Sequence, residues 1–439
     1  MQNFSTTLGN TVKTASRLGL AIVLALMLGS AVFSADAVLD WNKIAVDTVA
    51  PGQSPYAQAR YAAIVQLAVF EAVNAVTGHY RPYLGTIVAP SGASADAAAV
   101  QAAYDVLVNY FPNSQTSLQP QLAASLGLIP AGQSKQDGIA TGHAAAAAMI
   151  ALRANDGSTI PKFYTPGPVA PGAWQATPSC PIMNGIAVGT FLHWQNVTPF
   201  GISNVEVYLL DPPPALTSNR YAKAYNEVLA VGNVSSSERP QDRADVVHFF
   251  QITSPTQALN QAARQVAVEK AGTLSENARA LALVNMAASD SLVASFFNKY
   301  HYNFWRPETA IRAGDTDDNP KTEPDTSFVP FIPTPCFPSY PSNHASGTNG
   351  GTEVLRHLYG DGRHSITLVN PALPTVVLQY TRFEQIDDDV DDARVYGGIH
   401  FRTDQDAGAR LGRAIGRAVY KHNLRRIHDD DHDDDHDDK

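Results

Sequence analysis

The chain has 439 residues, of which 44% are hydrophobic and 16% charged, enough to bury one large core or two ordinary ones. The net charge of −10 is uneven: residues 429–439 hold eight Asp and one Lys, a contribution of −7 that leaves the rest near −3. No basic stripe marks a nucleic-acid surface, which excludes that class of partner.

In chain order, Lys13 and Arg17 precede an apolar run over 18–33, and Ala35-Asp36-Ala37 follows as an A-x-A site. That layout reads as a signal peptide over 1–37 and a secreted or periplasmic protein. A membrane anchor needs about 18 or more apolar residues, and this run is shorter. No later segment reads as apolar enough to span a bilayer, so no stable span is expected after signal cleavage.

Helical spacing dominates the remainder. Apolar residues recur three and four apart over 55–76, with Arg60 and Glu71 on the opposite side. Similar spacing predicts helices over 93–110, 134–153, 219–231 and 258–272. A longer helix is expected over 275–297, opening on a Ser cap with acid in its first turn, and leaving Lys299 just past its end. Helices over 345–359 and 404–425 complete the set. Strand alternation is scarce, and neither a repeat nor a linker is evident. The expectation is a single large, mainly α domain over 38–427, with its chemistry in about 275–426.

Two Pro-rich loops interrupt the pattern. Residues 160–213 form a stretch long enough to be a lid or an ornament. Residues 315–341 lead into the strongest motif. The two cysteines, Cys180 and Cys336, are either a disulfide of an exported protein or two buried thiols. In the tail, His428, His432 and His436 recur every four residues and could hold a divalent metal on a helix. Like charges disfavour that helix, so a disordered, solvated tail is expected over 428–439.

Three segments carry chemistry. Lys299 and Arg306-Pro307 bracket four aromatics, and cations buried there would need an anion. They could equally cover aromatic faces at the surface. Pro341-Ser342-Asn343-His344 opens a helix, whose N-terminus favours an anion. Ser342 adds a hydroxyl and His344 a proton-transfer group, although Ser342 or Asn343 could be only a cap. In the third segment, Gly397 and Gly398 allow a tight turn between Arg394 and His400. Asp404, four residues further on, could fix which imidazole nitrogen is free. Together they supply three cations, a helix N-terminus and two histidines, a set suited to a phosphate-like oxyanion.

Lys299 to Pro307, Pro341 to His344 and Arg394 to Asp404 resemble the ordered motifs Lys-x6-Arg-Pro, Pro-Ser-Gly-His and Arg-x5-His-x3-Asp of the superfamily of vanadium-dependent haloperoxidases and type 2 phosphatidic acid phosphatases. That resemblance implies a helical bundle of the haloperoxidase and acid phosphatase type. Lys299, Arg306 and Arg394 would neutralise bound vanadate, or phosphate in a phosphatase. Ser342 and the Asn343 backbone would donate to its oxygens. His400 would bond to vanadium or attack phosphorus, His344 would be the acid–base residue, and Asp404 would orient His400. The co-reactants would be hydrogen peroxide and halide, or a phosphate ester, and an oligomer is compatible with the family. Phe337 stands where chloroperoxidase-like members carry Phe.

There are departures. Asn343 replaces the usual Gly, which Asn tolerates if the position needs φ > 0. Ala393 replaces a common Ser. Gln251-Ile252-Thr253 offers no acid to support His344. A haloperoxidase-like enzyme is the first expectation, an exported acid phosphatase working through a phosphohistidine the second, and a non-catalytic phosphate-binding protein the third.

Overall fold

The computed structural model describes residues 36–427. The Asp/His tail and, apart from Asp36 and Ala37, the expected signal segment lie outside them.

Thirteen α-helices appear among the described residues: α1 (Ala37–Val49), α2 (Pro55–Thr77), α3 (Ala95–Tyr110), α4 (Gln115–Gly127), α5 (Gln133–Arg153), α6 (Asn219–Val231), α7 (Gln241–Ile252), α8 (Pro255–Glu269), α9 (Leu274–Tyr302), α10 (Pro307–Arg312), α11 (Asn343–Tyr359), α12 (Phe383–Tyr396) and α13 (Arg402–His422). Two antiparallel ribbons are the strand content described: β1 (Ile182–Met183) with β2 (Ile186–Ala187), and β3 (Ile366–Val369) with β4 (Val377–Tyr380). The main core joins α2, α3 and α5 on one side to α9, α11 and α13 on the other.

The central element is α9. Its cap is Thr273, two residues before the expected Ser275, because Thr273 and Glu276 form a reciprocal capping box. It also runs further than expected, ending only at Asn303 with φ 48°. Lys299 therefore lies in its last turn, not beyond it. Both α2 and α9 are long and apolar enough to cross a membrane, contrary to the hydropathy reading, but both are buried along most of their length. A helix apolar all round is what a deep core requires.

The polar side expected for α2 is absent, since Arg60 and Glu71 are both buried. Arg60 Nε donates to Asp156 Oδ2 at 2.6 Å, and Arg153 donates to the same oxygen. Glu71 accepts from the Tyr83 amide at 2.5 Å. Buried charges persist when so partnered.

The closest seam is α11 against α13. A Cβ at Gly408, Gly412 or Gly416 would lie 2.6, 2.3 or 2.5 Å from the carbonyl oxygens of Ser342, Ser346 and Gly350. Glycines four apart thus let the two backbones touch, which fixes the distance between Ser342 and the Asp404 turn.

The sequence reading passed over α1, α4, α7, α10 and α12. In α12 five aspartates mask the apolar stripe Phe383, Ile386, Val390 and Ala393, which is nevertheless spaced three and four apart. Residues 160–213 are irregular, as expected, apart from β1, β2 and two short 3-10 turns. Cys180 and Cys336 form a disulfide that ties this loop to the segment before α11.

Candidate oxyanion site

Lys299 reaches the site from the end of α9, fully buried. Its ammonium donates to the carbonyls of Pro338 (2.9 Å), Ser339 (2.7 Å) and Pro341 (2.5 Å). The side chain thus clamps the bend that precedes α11. Burial, then the Arg306 charge, pushes it well below the usual lysine range, while Asp404 opposes that shift.

Arg306 caps α10 ahead of Pro307, a residue suited to a first helical turn. Its Nε donates to Phe337 O at 2.9 Å, and Nη1 donates to Ile399 O at 2.8 Å and His400 Nε2 at 2.9 Å. Nη2 is buried and has no partner among the described residues. The Phe337 ring lies 5.3 Å from Lys299 Nζ and 5.0 Å from Arg306 Cζ, so it serves both cations. Burial brings Arg306 down to about 9.

The N-terminus of α11 lies beside them. Ser342 is its cap: Oγ accepts from Ala345 N at 3.3 Å, and its amide donates to Asp404 O at 2.9 Å. Accepting in this way leaves the hydroxyl proton available, so the cap and donor roles are compatible. Asn343 has no positive φ; it is the first helical residue, so the tolerance of Asn for that conformation is not needed. Its Oδ1 accepts from Ser295 at 2.6 Å, and Nδ2 is buried beside the Tyr56 hydroxyl. His344 is half-buried. Burial and the charges of Arg394, Lys299 and Arg306 push its pKa well below the usual histidine value.

Arg394 comes from the last turn of α12. Nη1 donates to Phe250 O at 3.3 Å, Nε is buried and unpartnered, and burial lowers the group to about 10. The chain then turns through Gly398, at φ 76°, where a Cβ would come within 2.3 Å of Gly232 O. His400 follows. Its Nδ1 lies 2.9 Å from Asp404 Oδ2, which also accepts from Ser339 Oγ (2.6 Å) and Phe401 N (3.2 Å). With Arg306 donating to Nε2, the network places the imidazole proton on Nδ1. Burial, then Arg306, Lys299 and Arg394, keeps His400 neutral. Burial raises Asp404 to about 6.

All the expected site residues are therefore brought together: Lys299, Arg306, Ser342, Asn343, His344, Arg394, His400 and Asp404. Two contributors were not anticipated. Ser339 braces Asp404, and no spacing signal marked it. Tyr56, buried on α2 and raised by that burial, is bonded to the Asn343 side chain and close enough to Arg306 and Arg394 to feel their charges. Near Gln251-Ile252-Thr253, Phe250 serves Arg394 through its carbonyl, and the groups acting on His344 are all cations.

Among the described residues three buried cations face a single carboxylate, and two buried donor atoms, Arg306 Nη2 and Arg394 Nε, lack acceptors. Buried donors are rarely left so. A tetrahedral oxyanion such as vanadate or phosphate fits this donor set.

A family profile described as the VCPO second helical-bundle domain matches residues 279–429. The vanadium chloroperoxidase of Curvularia inaequalis is 28% identical over 185 residues, 35% of this chain and 30% of that protein's length. Both matches fall on the part of the chain that carries the site and fit the superfamily of vanadium-dependent haloperoxidases and type 2 phosphatidic acid phosphatases. A bacterial vanadium-dependent iodoperoxidase shares the fold of this chain with a TM-score of 0.73 at 23% identity, covering 88% of this chain and 97% of that one. A bacterial vanadium-dependent chloroperoxidase in its holo form gives 0.65 at 17% identity, covering 85% and 93%. The match to the fungal relative spans under a third of that protein.

Proposed function

We propose that this chain is a haloperoxidase that holds vanadate and oxidises halide with hydrogen peroxide. The observation that carries the reading is the neutral, proton-directed His400, whose Nε2 faces a set of buried cationic donors with too few acceptors. Lys299, Arg306 and Arg394 would balance the anion, and Ser342 and the Asn343 amide would bind its oxygens. Bound vanadate would supply a Lewis-acidic centre that activates peroxide toward halide.

The side chains then have separable tasks. Asp404 accepts from Nδ1 and so keeps the proton off Nε2 of His400, whose lone pair now accepts from Arg306 Nη1 and would turn to the anion once that guanidinium engages it. The anion's charge would offset the three cations, so the His344 imidazole becomes more basic and able to take a proton. Export is part of the same proposal, supported by the Cys180–Cys336 disulfide, which suits an oxidising compartment.

One observation favours phosphoester hydrolysis as a second reading. His344 has no carboxylate partner among the described residues, which weakens it as a base, and a bound phosphate would offset the three cations enough for it to carry the proton a leaving oxygen needs. His400 Nε2 would then attack phosphorus. The test follows dye halogenation with bromide and peroxide, and hydrolysis of a chromogenic phosphate ester, each with and without orthovanadate. Halogenation that depends on vanadate supports the first reading, and vanadate should also suppress ester hydrolysis. Ester hydrolysis with no halogenation moves the assignment to phosphatase. Anion binding with neither activity would leave a passive phosphate-binding protein.

A further inference from the structure

Tyr56 is the second residue of α2, behind Pro55 and the Ser54 cap, and it is 6% exposed. Four rings enclose its own: Phe296 at 4.6 Å, Phe191 at 4.9 Å, Trp194 at 5.9 Å and Phe337 at 6.0 Å. Packing of this kind fixes the plane of a ring. Phe337 is also the ring that lies against both Lys299 and Arg306. Tyr56 is therefore held one ring away from two cations of the site, and its hydroxyl feels the charges of Arg306 and Arg394.

The Asn343 side chain is hydrogen-bonded to that hydroxyl. Asn343 Oδ1 is already engaged by Ser295 at 2.6 Å, so the amide nitrogen faces Tyr56 and the phenol oxygen accepts. The phenol proton is left over. Burial raises the group to about 12, against the pull of Asn343, Arg306 and Arg394, so the proton is present at neutral pH. No carbonyl or carboxylate among the described residues accepts it. Arg306 Nη2 and Arg394 Nε lack acceptors as well. Donors from three separate elements are thus unsatisfied around the start of α11.

We propose that the Tyr56 hydroxyl donates to an oxygen of the bound oxyanion, and that the Asn343 side chain positions it to do so. A buried phenol proton needs an acceptor, and an anion oxygen is a strong one. The donor is neutral, so it adds a hydrogen bond to the anion without a fourth buried charge. Asn343 then has two tasks. Its backbone amide faces the anion, and its side chain, which the Gly of the related motif lacks, ties Ser295 of α9 to Tyr56 of α2. The site takes this donor from outside residues 279–429, the part that matches the family profile. The inference rests on the oxyanion reading of the site and holds for vanadate and phosphate alike.

The experiment uses full-length protein in phosphate-free buffer. Orthophosphate and orthovanadate are titrated separately, by calorimetry, into the wild type, Tyr56→Phe, Asn343→Gly and the double variant. Tyr56→Phe keeps the ring in its cage and removes only the hydroxyl, so affinity for both anions should fall roughly 10- to 100-fold. Asn343→Gly should weaken binding in the wild type but change it less than about twofold in the Tyr56→Phe background, because the side chain acts through the hydroxyl. Adding orthophosphate should also shift the near-ultraviolet tyrosine absorbance of the wild type, and Tyr56→Phe should lose that shift, which a packing role would not produce. Tyr56→Phe binding both anions within about threefold of the wild type overturns the donor role and leaves the oxyanion site standing. Equal losses from Asn343→Gly in both backgrounds overturn the positioning role. A wild type that binds neither anion removes this inference and the site reading together. Phosphate binding that depends on Tyr56, in a protein that does not halogenate, keeps the donor and moves the function to phosphatase.

Discussion

Replacing Arg394 by Met should make the anion-free protein more stable and disable anion binding. Arg394 is buried, makes one long hydrogen bond to Phe250 O at 3.3 Å, and leaves Nε unsatisfied. Burial displaces its pKa from 12.5 to about 10, which corresponds to roughly 3 kcal/mol against the charged form at neutral pH. The sign is unambiguous: a base with a lowered folded pKa destabilises the fold throughout the range below that pKa, and the penalty fades only above about pH 10. Met fills similar volume without charge. Replacing buried charge by an apolar group of like size stabilises by about 1–4 kcal/mol. In phosphate-free buffer, urea denaturation should thus show a gain of about 1–3 kcal/mol. Titration with orthophosphate or orthovanadate should show binding weakened roughly 30-fold or more, because a buried charge partner of the anion is gone. The stability rise on adding anion, large in the wild type, should shrink accordingly. A variant that loses more than about 1 kcal/mol without anion, or that binds phosphate within about threefold of the wild type, would refute the claim that this charge is held for a ligand.

Other outcomes follow from the same geometry. Asp404→Asn removes the charge that fixes the His400 tautomer, so vanadate affinity should drop roughly 10- to 100-fold, read by titration, with the helical circular dichroism retained. Both site histidines are held neutral by burial and by the three cations; a bound anion offsets those cations, so the His344 titration midpoint followed by NMR should rise on adding orthophosphate, and an unchanged midpoint would contradict the assigned placement. Gly398→Ala forces a Cβ to within 2.3 Å of Gly232 O at φ 76°, and should cost about 3 kcal/mol or more in denaturant melts.

Much of the site was legible because its residues sit in short motifs whose charge and turn chemistry stand out locally. Lys299, Arg306, Ser342, His344, Arg394, His400 and Asp404 all lie where three separate segments suggested a shared anion. What escaped was non-local. Tyr56 reaches the site from α2, more than two hundred residues away, and Ser339 matters only because Asp404 folds back over it. The helix boundaries failed where capping was subtle, as at Thr273, and α12 was hidden by its aspartates although its apolar stripe had the right period. Arg60 and Glu71 misled for a related reason: helical spacing reports amphipathicity, and a fully buried α2 has partners for its charges instead of water.

The seam between α11 and α13 divides the molecule into parts that can drift and a part that cannot. Its spacing is set by missing side chains, at Gly408, Gly412 and Gly416, so no compensating substitution elsewhere can restore it once a methyl group intrudes. Along the aromatic segment over 158–194, by contrast, side chains can change size one at a time. The oxyanion site has no such freedom along the seam, because any shift there moves Ser342 and the His400–Asp404 pair relative to one another. Laboratory libraries that leave those glycines untouched should therefore retain many more active clones than libraries that sample the whole chain evenly.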